Sequence, residues 1–237
     1  MMLVRITNRC RMGCNHCMTN AMPDGEHMSV DTFFKTLVFL EKCQSPLIML
    51  SGGEPLEHPK FFELMKMASD FKIEMISILS NGMFLDDDEL RERVFNSGAY
   101  TQITNDERYY PKRITKYEHP SVTYVDELRV ITPLGRAVDN NIPPSRLAPM
   151  CFNMRSAARG YGNFIQAIHT LRCKGKMCTP SINIDGTVVA GETPLCHKVG
   201  TVESTNAELT ENLIAMKCNK CGLEDDLQPE YRNAIGI

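Results

Sequence analysis

Leu47-Ile48-Met49-Leu50-Ser51-Gly52-Gly53-Glu54-Pro55 is the stretch whose reading decides the fold. Four apolar residues in succession, with neither helical nor alternating gaps, suit a strand buried on both faces. The run breaks at Gly52-Gly53. Helical spacing flanks it on both sides. Ser29–Cys43 carries Phe33, Phe34, Leu37, Val38 and Leu40, with Ser29 as N-cap, and Phe61–Phe71 carries Phe61, Phe62, Leu64, Met65 and Ala68. Further outward, Leu3–Thr7 reads as a strand. Ile73–Leu79 reads as another and ends at Asn81-Gly82. Asp87–Asn96 is a charged helix entered through Asp86 and ended by Gly98, and Tyr100–Thr104 is a fourth strand. Strands alternating with helices of this size mean βαβ units and a parallel α/β sheet. All such strands end on one edge, where α/β folds gather ligands. The residues with chemistry fall at those ends: Cys10 onward, Ser51–Glu54, Ser80-Asn81 and Thr104–Asp106.

The rhythm weakens after Asp106. Val122–Val125 and Leu128–Thr132 each suit a strand, the second closed by Pro133-Leu134-Gly135-Arg136. Asn140–Pro149 is rich in proline and polar residues and marks a boundary, so we divide the chain into a core, residues 1–140, and an extension, residues 141–237. Ser181–Val189 alternates around Asp185-Gly186, a strong hairpin signal. Leu209–Met216 reads as a short helix leading to Cys218.

The 237 residues are 43% apolar, enough for a sizeable core without disulfides. No apolar run approaches the ~18 residues of a membrane span. No secretion signal is read at Met1–Arg9, and the expected compartment is the cytoplasm. A net charge of -3 argues against strong nucleic-acid binding but leaves a nucleotide substrate open.

The ten cysteines are grouped. Cys10, Cys14 and Cys17 form one set; Cys173, Cys178, Cys196, Cys218 and Cys221 form another; Cys43 and Cys151 stand alone. Two clusters in a chain of this size, without a secretion signal, read as metal sites kept reduced. Cys43, at a helix end, reads as a core thiol. Cys10-Arg11-Met12-Gly13-Cys14-Asn15-His16-Cys17 places three thiolates on one loop after the first strand. Thiolates suit iron–sulfur clusters or zinc. Three can hold three irons of a [4Fe–4S] cube and leave the fourth open to a small molecule. Structural zinc wants four ligands, and His16, between Cys14 and Cys17, would be cramped as the fourth.

This C-x3-C-x2-C loop resembles that of the radical S-adenosylmethionine (SAM) superfamily. Ser51-Gly52-Gly53-Glu54-Pro55 is similar to that family's Gly-Gly-Glu motif, and Ser80-Asn81-Gly82 to its Asn-Gly segment, each in order at a strand end. The resemblance covers about residues 1–137 and implies a partial (β/α)6 barrel. It implies that Cys10, Cys14 and Cys17 hold a [4Fe–4S] cluster that binds SAM and cleaves it reductively to a 5′-deoxyadenosyl radical, which abstracts hydrogen from a substrate. Gly52 and Gly53 would permit close backbone approach, and Glu54 would accept from the SAM ammonium group. His16 takes the family's aromatic position near adenine, or is a satisfied loop histidine. Ser80 and Asn81 join the cofactor site or cap a turn. Thr104 and Asp106 match the polar fourth-strand end where ribose is bound.

Cys178, Gly191 and Cys196 fit the spacing C-x(9–15)-G-x4-C that opens the auxiliary-cluster region called SPASM or, when shorter, twitch. With Cys218 and Cys221 they imply one auxiliary [4Fe–4S] cluster; a four-cysteine zinc is the alternative, and Cys173 could replace Cys178. Arg155 and Arg159 invite an anion-site reading or are solvated. The expected function is a radical SAM enzyme of oxidoreductase or isomerase type, acting on a small molecule or nucleotide. The core starts at the first strand, with no leader-peptide-binding domain read before it, which ranks a peptide-modifying enzyme second. A flavodoxin or ferredoxin would supply electrons. The rival from another class is a non-catalytic zinc-stapled interaction module.

Overall fold

Apolar runs become strands and apolar stripes become helices in a single mixed sheet. The structure, a computed structural model, describes residues 2–71, 73–128, 131, 133–143, 160, 162–173, 180–191, 194 and 196–216, with backbone only at 169–173. The strands are β1 (Met2–Thr7), β2 (Leu47–Gly52), β3 (Met75–Ser80), β4 (Tyr100–Thr104), β5 (Val122–Val125), β6 (Ser181–Ile182), β7 (Thr187–Val189) and β8 (Lys198–Thr201). The helices are α1 (Val30–Lys42), α2 (Phe61–Asp70), α3 (Asp88–Phe95), α4 (Arg136–Asp139), α5 (Phe164–Cys173) and α6 (Asn206–Ile214). Short 3-10 turns, Pro55–Glu57 and Met83–Asp86, follow β2 and β3.

The order across the sheet is β5-β4-β3-β2-β1-β6-β7-β8. β1 to β5 pair parallel in succession, and β6 runs parallel to β1, with Leu3 opposite Ser181. β6, β7 and β8 are antiparallel. The α/β class and the parallel core agree with the sequence. The sheet is consistent with the expected partial barrel, with two local differences: the sixth parallel strand sits beside β1, and β4 reaches β5 without a helix. The connecting residues 105–121 are polar, carry Pro111 and Pro120, and offer no apolar stripe to pack. The strands of the extension therefore lie in the core's own sheet.

The expected cap Ser29 takes the Thr32 N–H on its side chain. Helix α3 is capped by Asp87 rather than Asp86. Asp185-Gly186 turns the hairpin, with Gly186 at φ +80°. The main core gathers Val4 and Ile6 of β1, Ile48 and Leu50 of β2, and Ile78 of β3 against Phe33, Leu37 and Leu40 of α1. Cys43 caps α1 and is buried in this core. Leu128–Thr132 lies partly outside the described residues, and Cys151, Arg155 and Arg159 lie wholly outside them. Among the described residues no helix is long and apolar enough to cross a membrane.

Candidate active site

Four parallel strands deliver the site. β1, β2, β3 and β4 end at Thr7, Gly52, Ser80 and Thr104, and the loops that follow meet at one sheet edge. The link between the first two ends is backbone. The Gly53 N–H donates to the Thr7 carbonyl and the Glu54 N–H to the Arg9 carbonyl, both at 2.7 Å. A Cβ on Gly52 would lie 2.0 Å from the Thr7 oxygen, and one on Gly53 2.1 Å from the Arg9 oxygen. The close approach these glycines allow is therefore to the strand that launches the cysteine loop. Gly52, at φ +136°, also has a backbone that other residues rarely adopt.

Cys10 and Cys14 are buried and Cys17 half-buried, and none is in a disulfide. With Met12, Ala21, Met83 and Tyr110 they form a small apolar cluster apart from the main core. Burial pushes the Cys10 thiol up, and it pushes Cys14 up to about 12, aided by the neighbouring Cys10 and Cys17. Bound metal reverses that preference, because a coordinating thiol is deprotonated outright. Among the described residues, no three His, Cys, Asp or Glu side chains are grouped to hold one metal ion. Three thiols on one loop, set in a small apolar cluster, suit a [4Fe–4S] cube better than a lone zinc, which wants four ligands.

Glu54 is 2% exposed. Its carboxylate accepts from the Ser80 hydroxyl (3.0 and 3.1 Å to its two oxygens), the Asn81 N–H (2.8 Å) and the Leu56 N–H (3.3 Å). A carboxylate offers about four acceptor sites, so these three donors leave about one for a ligand. Burial, with no cation alongside, raises the Glu54 pKa to about 7. Asn81 is more than a turn cap: its Oδ1 takes the Met83 N–H, and its Nδ2 donates to Cys10 Sγ at 3.5 Å.

Asp106 is equally buried but differently served. Arg108 contacts both its oxygens, Nη2 at 2.6 Å, and the Leu128 N–H adds 2.7 Å. Arg108 holds the Asp106 pKa well below the usual carboxylate range. Thr104 is half-buried at the end of β4. His16 packs between Tyr109 and Tyr110, with ring centroids at 5.2 and 5.1 Å. Its Nδ1 is buried without a hydrogen-bond partner, and burial lowers its pKa to about 4. The sequence reading missed Tyr109, Tyr110 and Arg136, all of which touch this loop.

Residues 4–106 match the family model described as the Radical SAM superfamily. Among curated proteins, the chain is similar to a probable GTP 3′,8-cyclase of Methanocaldococcus jannaschii, 26% identical over 152 residues, covering 61% of this chain and 47% of that protein. It also resembles the AdoMet-dependent heme synthase of Methanosarcina barkeri, 30% identical over 83 residues, covering 34% of this chain and 23% of that protein. The chain thus spans less than half the length of either. A crystal structure of BtrN in complex with AdoMet and 2-DOIA superposes with a TM-score of 0.56 at 13% identity, over 99% of this chain and 88% of that one. The shared feature there is the fold. The matched stretch covers β1 to β4 and every motif at the sheet edge, and ends just before the Tyr109–Tyr110 pair.

Of the second cysteine set, only the Cys196 side chain is described. It is half-buried, and a Cβ on Gly191 would lie 2.6 Å from its Sγ. The glycine of the spacing makes room for this thiol. Cys178, Cys218 and Cys221 lie outside the described residues, as does the Cys173 side chain.

Proposed function

We propose that the chain is a radical SAM enzyme in which Cys10, Cys14 and Cys17 hold a [4Fe–4S] cluster. When bound, that cluster supplies the electron for reductive cleavage of SAM to a 5′-deoxyadenosyl radical. The carrying observation is the Glu54–Asn81–Cys10 chain of contacts, which joins a buried carboxylate to the thiol loop at one sheet edge. Glu54, charged and nearly saturated, keeps one acceptor site for the SAM ammonium group, whose charge would offset the burial of its own. Ser80 and Asn81 orient that carboxylate. Gly52 and Gly53 lock β2 against β1. His16 offers Nδ1 and an aromatic face toward adenine. Thr104 supplies a hydroxyl for ribose. Asp106, engaged by Arg108, contributes by ordering the turn that carries Tyr109 and Tyr110. The apolar cluster around the thiols excludes water.

Substrates are proposed to be small molecules or nucleotides, in keeping with the named activities of the curated relatives. Cys178, Cys196, Cys218 and Cys221 are proposed to hold an auxiliary [4Fe–4S] cluster, on spacing and on the room that Gly191 leaves for Cys196. A flavodoxin or ferredoxin in a reducing compartment such as the cytoplasm is the proposed electron source. The test is anaerobic reconstitution with iron and sulfide, followed by SAM and dithionite. A brown protein that releases 5′-deoxyadenosine supports the reading. A colourless protein binding zinc alone overturns it in favour of a stapled scaffold.

A further inference from the structure

The cysteine loop is gripped from outside the matched domain. Residues 135–140, 115 or more positions downstream, contact it at five points. The Arg136 backbone N–H donates to the Cys17 carbonyl at 3.0 Å. The Arg136 guanidinium donates through Nε to the Cys14 carbonyl at 2.9 Å and through Nη1 to the Ala21 carbonyl at 3.0 Å. Asn140 Nδ2 donates to the Asn15 carbonyl at 2.8 Å. Gly135, at φ +60°, lies so close that a Cβ would sit 2.5 Å from the Cys17 oxygen and 2.8 Å from Asn20 Oδ1. On the opposite side, the Asn15 N–H donates to the Tyr109 carbonyl at 3.0 Å.

Two features make this grip more than packing. It fixes the backbone of Cys14, Asn15 and Cys17, the stretch that must hold two thiols in place. And among the described residues Arg136 forms no ion pair, so its charge is not cancelled by a nearby carboxylate. A guanidinium stays protonated at any working pH. Beside a half-buried, apolar loop its field is weakly screened.

We propose that residues 135–140 form a clamp on the cysteine loop, with Arg136 as a positioning residue whose fixed positive charge favours the reduced state of the cluster. The inference rests on the cluster reading of Cys10, Cys14 and Cys17. Reduction adds one electron, taken from dithionite in the assay, and so one negative charge beside the guanidinium. Removing the cation makes that step harder, because charge and hydrogen bonding around a cluster set its potential. Arg136 touches no reacting atom; it acts through the loop.

The test compares Arg136→Gln and Arg136→Lys with the parent protein. Amide hydrogen exchange on metal-free protein reads the clamp without the cluster. A redox titration followed by electron paramagnetic resonance, on the signal that SAM perturbs, reads the charge. Arg136→Gln is expected to speed exchange across residues 14–21 at least tenfold, with β1 unchanged. At a fixed potential it should also lower the reduced-to-oxidised ratio about tenfold, equivalent to about 59 mV for one electron. Arg136→Lys should keep the ratio within about threefold of the parent while the exchange still quickens, since lysine keeps the charge but not the two-pronged contact. Parent-like exchange, or a parent-like ratio in Arg136→Gln, overturns the proposal. If that variant fails to fold, Arg136→Lys and Asn140→Ala decide: unchanged exchange in both overturns the clamp. A parent protein that binds no iron through Cys10, Cys14 and Cys17 is instead the failure of the function reading.

Discussion

Two strand ends at the same sheet edge carry a buried carboxylate each, and the two are served in opposite ways. After β2, Glu54 takes only neutral donors, and burial lifts its pKa to about 7. After β4, Asp106 takes a guanidinium, and its pKa falls below the usual carboxylate range. A charge already matched from within is structural. In the proposed reading, a charge held without a cation among the described residues, with one acceptor site spare, is prepared for a ligand that brings one. The sequence resemblance gave Glu54 the SAM ammonium group and Asp106 the ribose; the environments of the two carboxylates differ further still.

The largest expected effect that could break this contrast is on SAM binding. Glu54→Gln should weaken SAM about ten- to hundred-fold, the equivalent of the roughly 1.5–3 kcal/mol of a charge-assisted hydrogen bond. Asp106→Asn should leave the affinity within about threefold. Equilibrium binding to the anaerobic protein checks both, and equal losses in the two variants would erase the distinction.

Stability against pH sharpens it, with opposite signs. The Glu54 pKa is raised in the folded state, from 4.5 to about 7. The folded protein therefore binds the extra proton between those values. That contribution is full below about 4.5 and is lost as pH rises through 7. On the order of 3 kcal/mol is at stake. Metal-free Glu54→Gln should flatten that fall in urea titrations run across the window. The Asp106 pKa is depressed from 3.8, so its contribution is present above that value and is lost as pH falls below it. Asp106→Asn should cost about 2 kcal/mol at pH 7 and lose this acid-side slope. The smallest effect belongs to Ser80→Ala, which removes one of three donors to Glu54. A loss of about 1 kcal/mol of stability and a SAM affinity reduced a few-fold are expected, and an unchanged affinity would free Ser80 from the site.

The contrast also marks how far the sequence could be read. β1 to β4 and their helices were legible because each is written locally, in an unbroken apolar run or a stripe. The motifs at Cys10–Cys17, Gly52–Glu54 and Ser80–Asn81 sit in those same local frames. The place of β6 beside β1 was not legible, since the pairing of Leu3 with Ser181 joins residues 178 positions apart and a hairpin pattern does not name the strand it joins. The helix that a regular β/α rhythm would place between β4 and β5 had no apolar stripe behind it. Arg136 read as the end of a loop, because nothing near it in the chain hints at Cys14. For Asp106, the arginine two residues on was the available signal, but contact at that spacing depends on a turn that the sequence does not announce.

The central claim is that the loop Cys10–Cys17 carries the chemistry. The most direct measurement reconstitutes the parent and Cys14→Ala side by side under argon, counts iron, and quantifies 5′-deoxyadenosine after adding SAM and dithionite. The account predicts that Cys14→Ala loses about four irons per chain, the content of one [4Fe–4S] cluster, and forms no 5′-deoxyadenosine. Equal iron and equal turnover in the two proteins would contradict it.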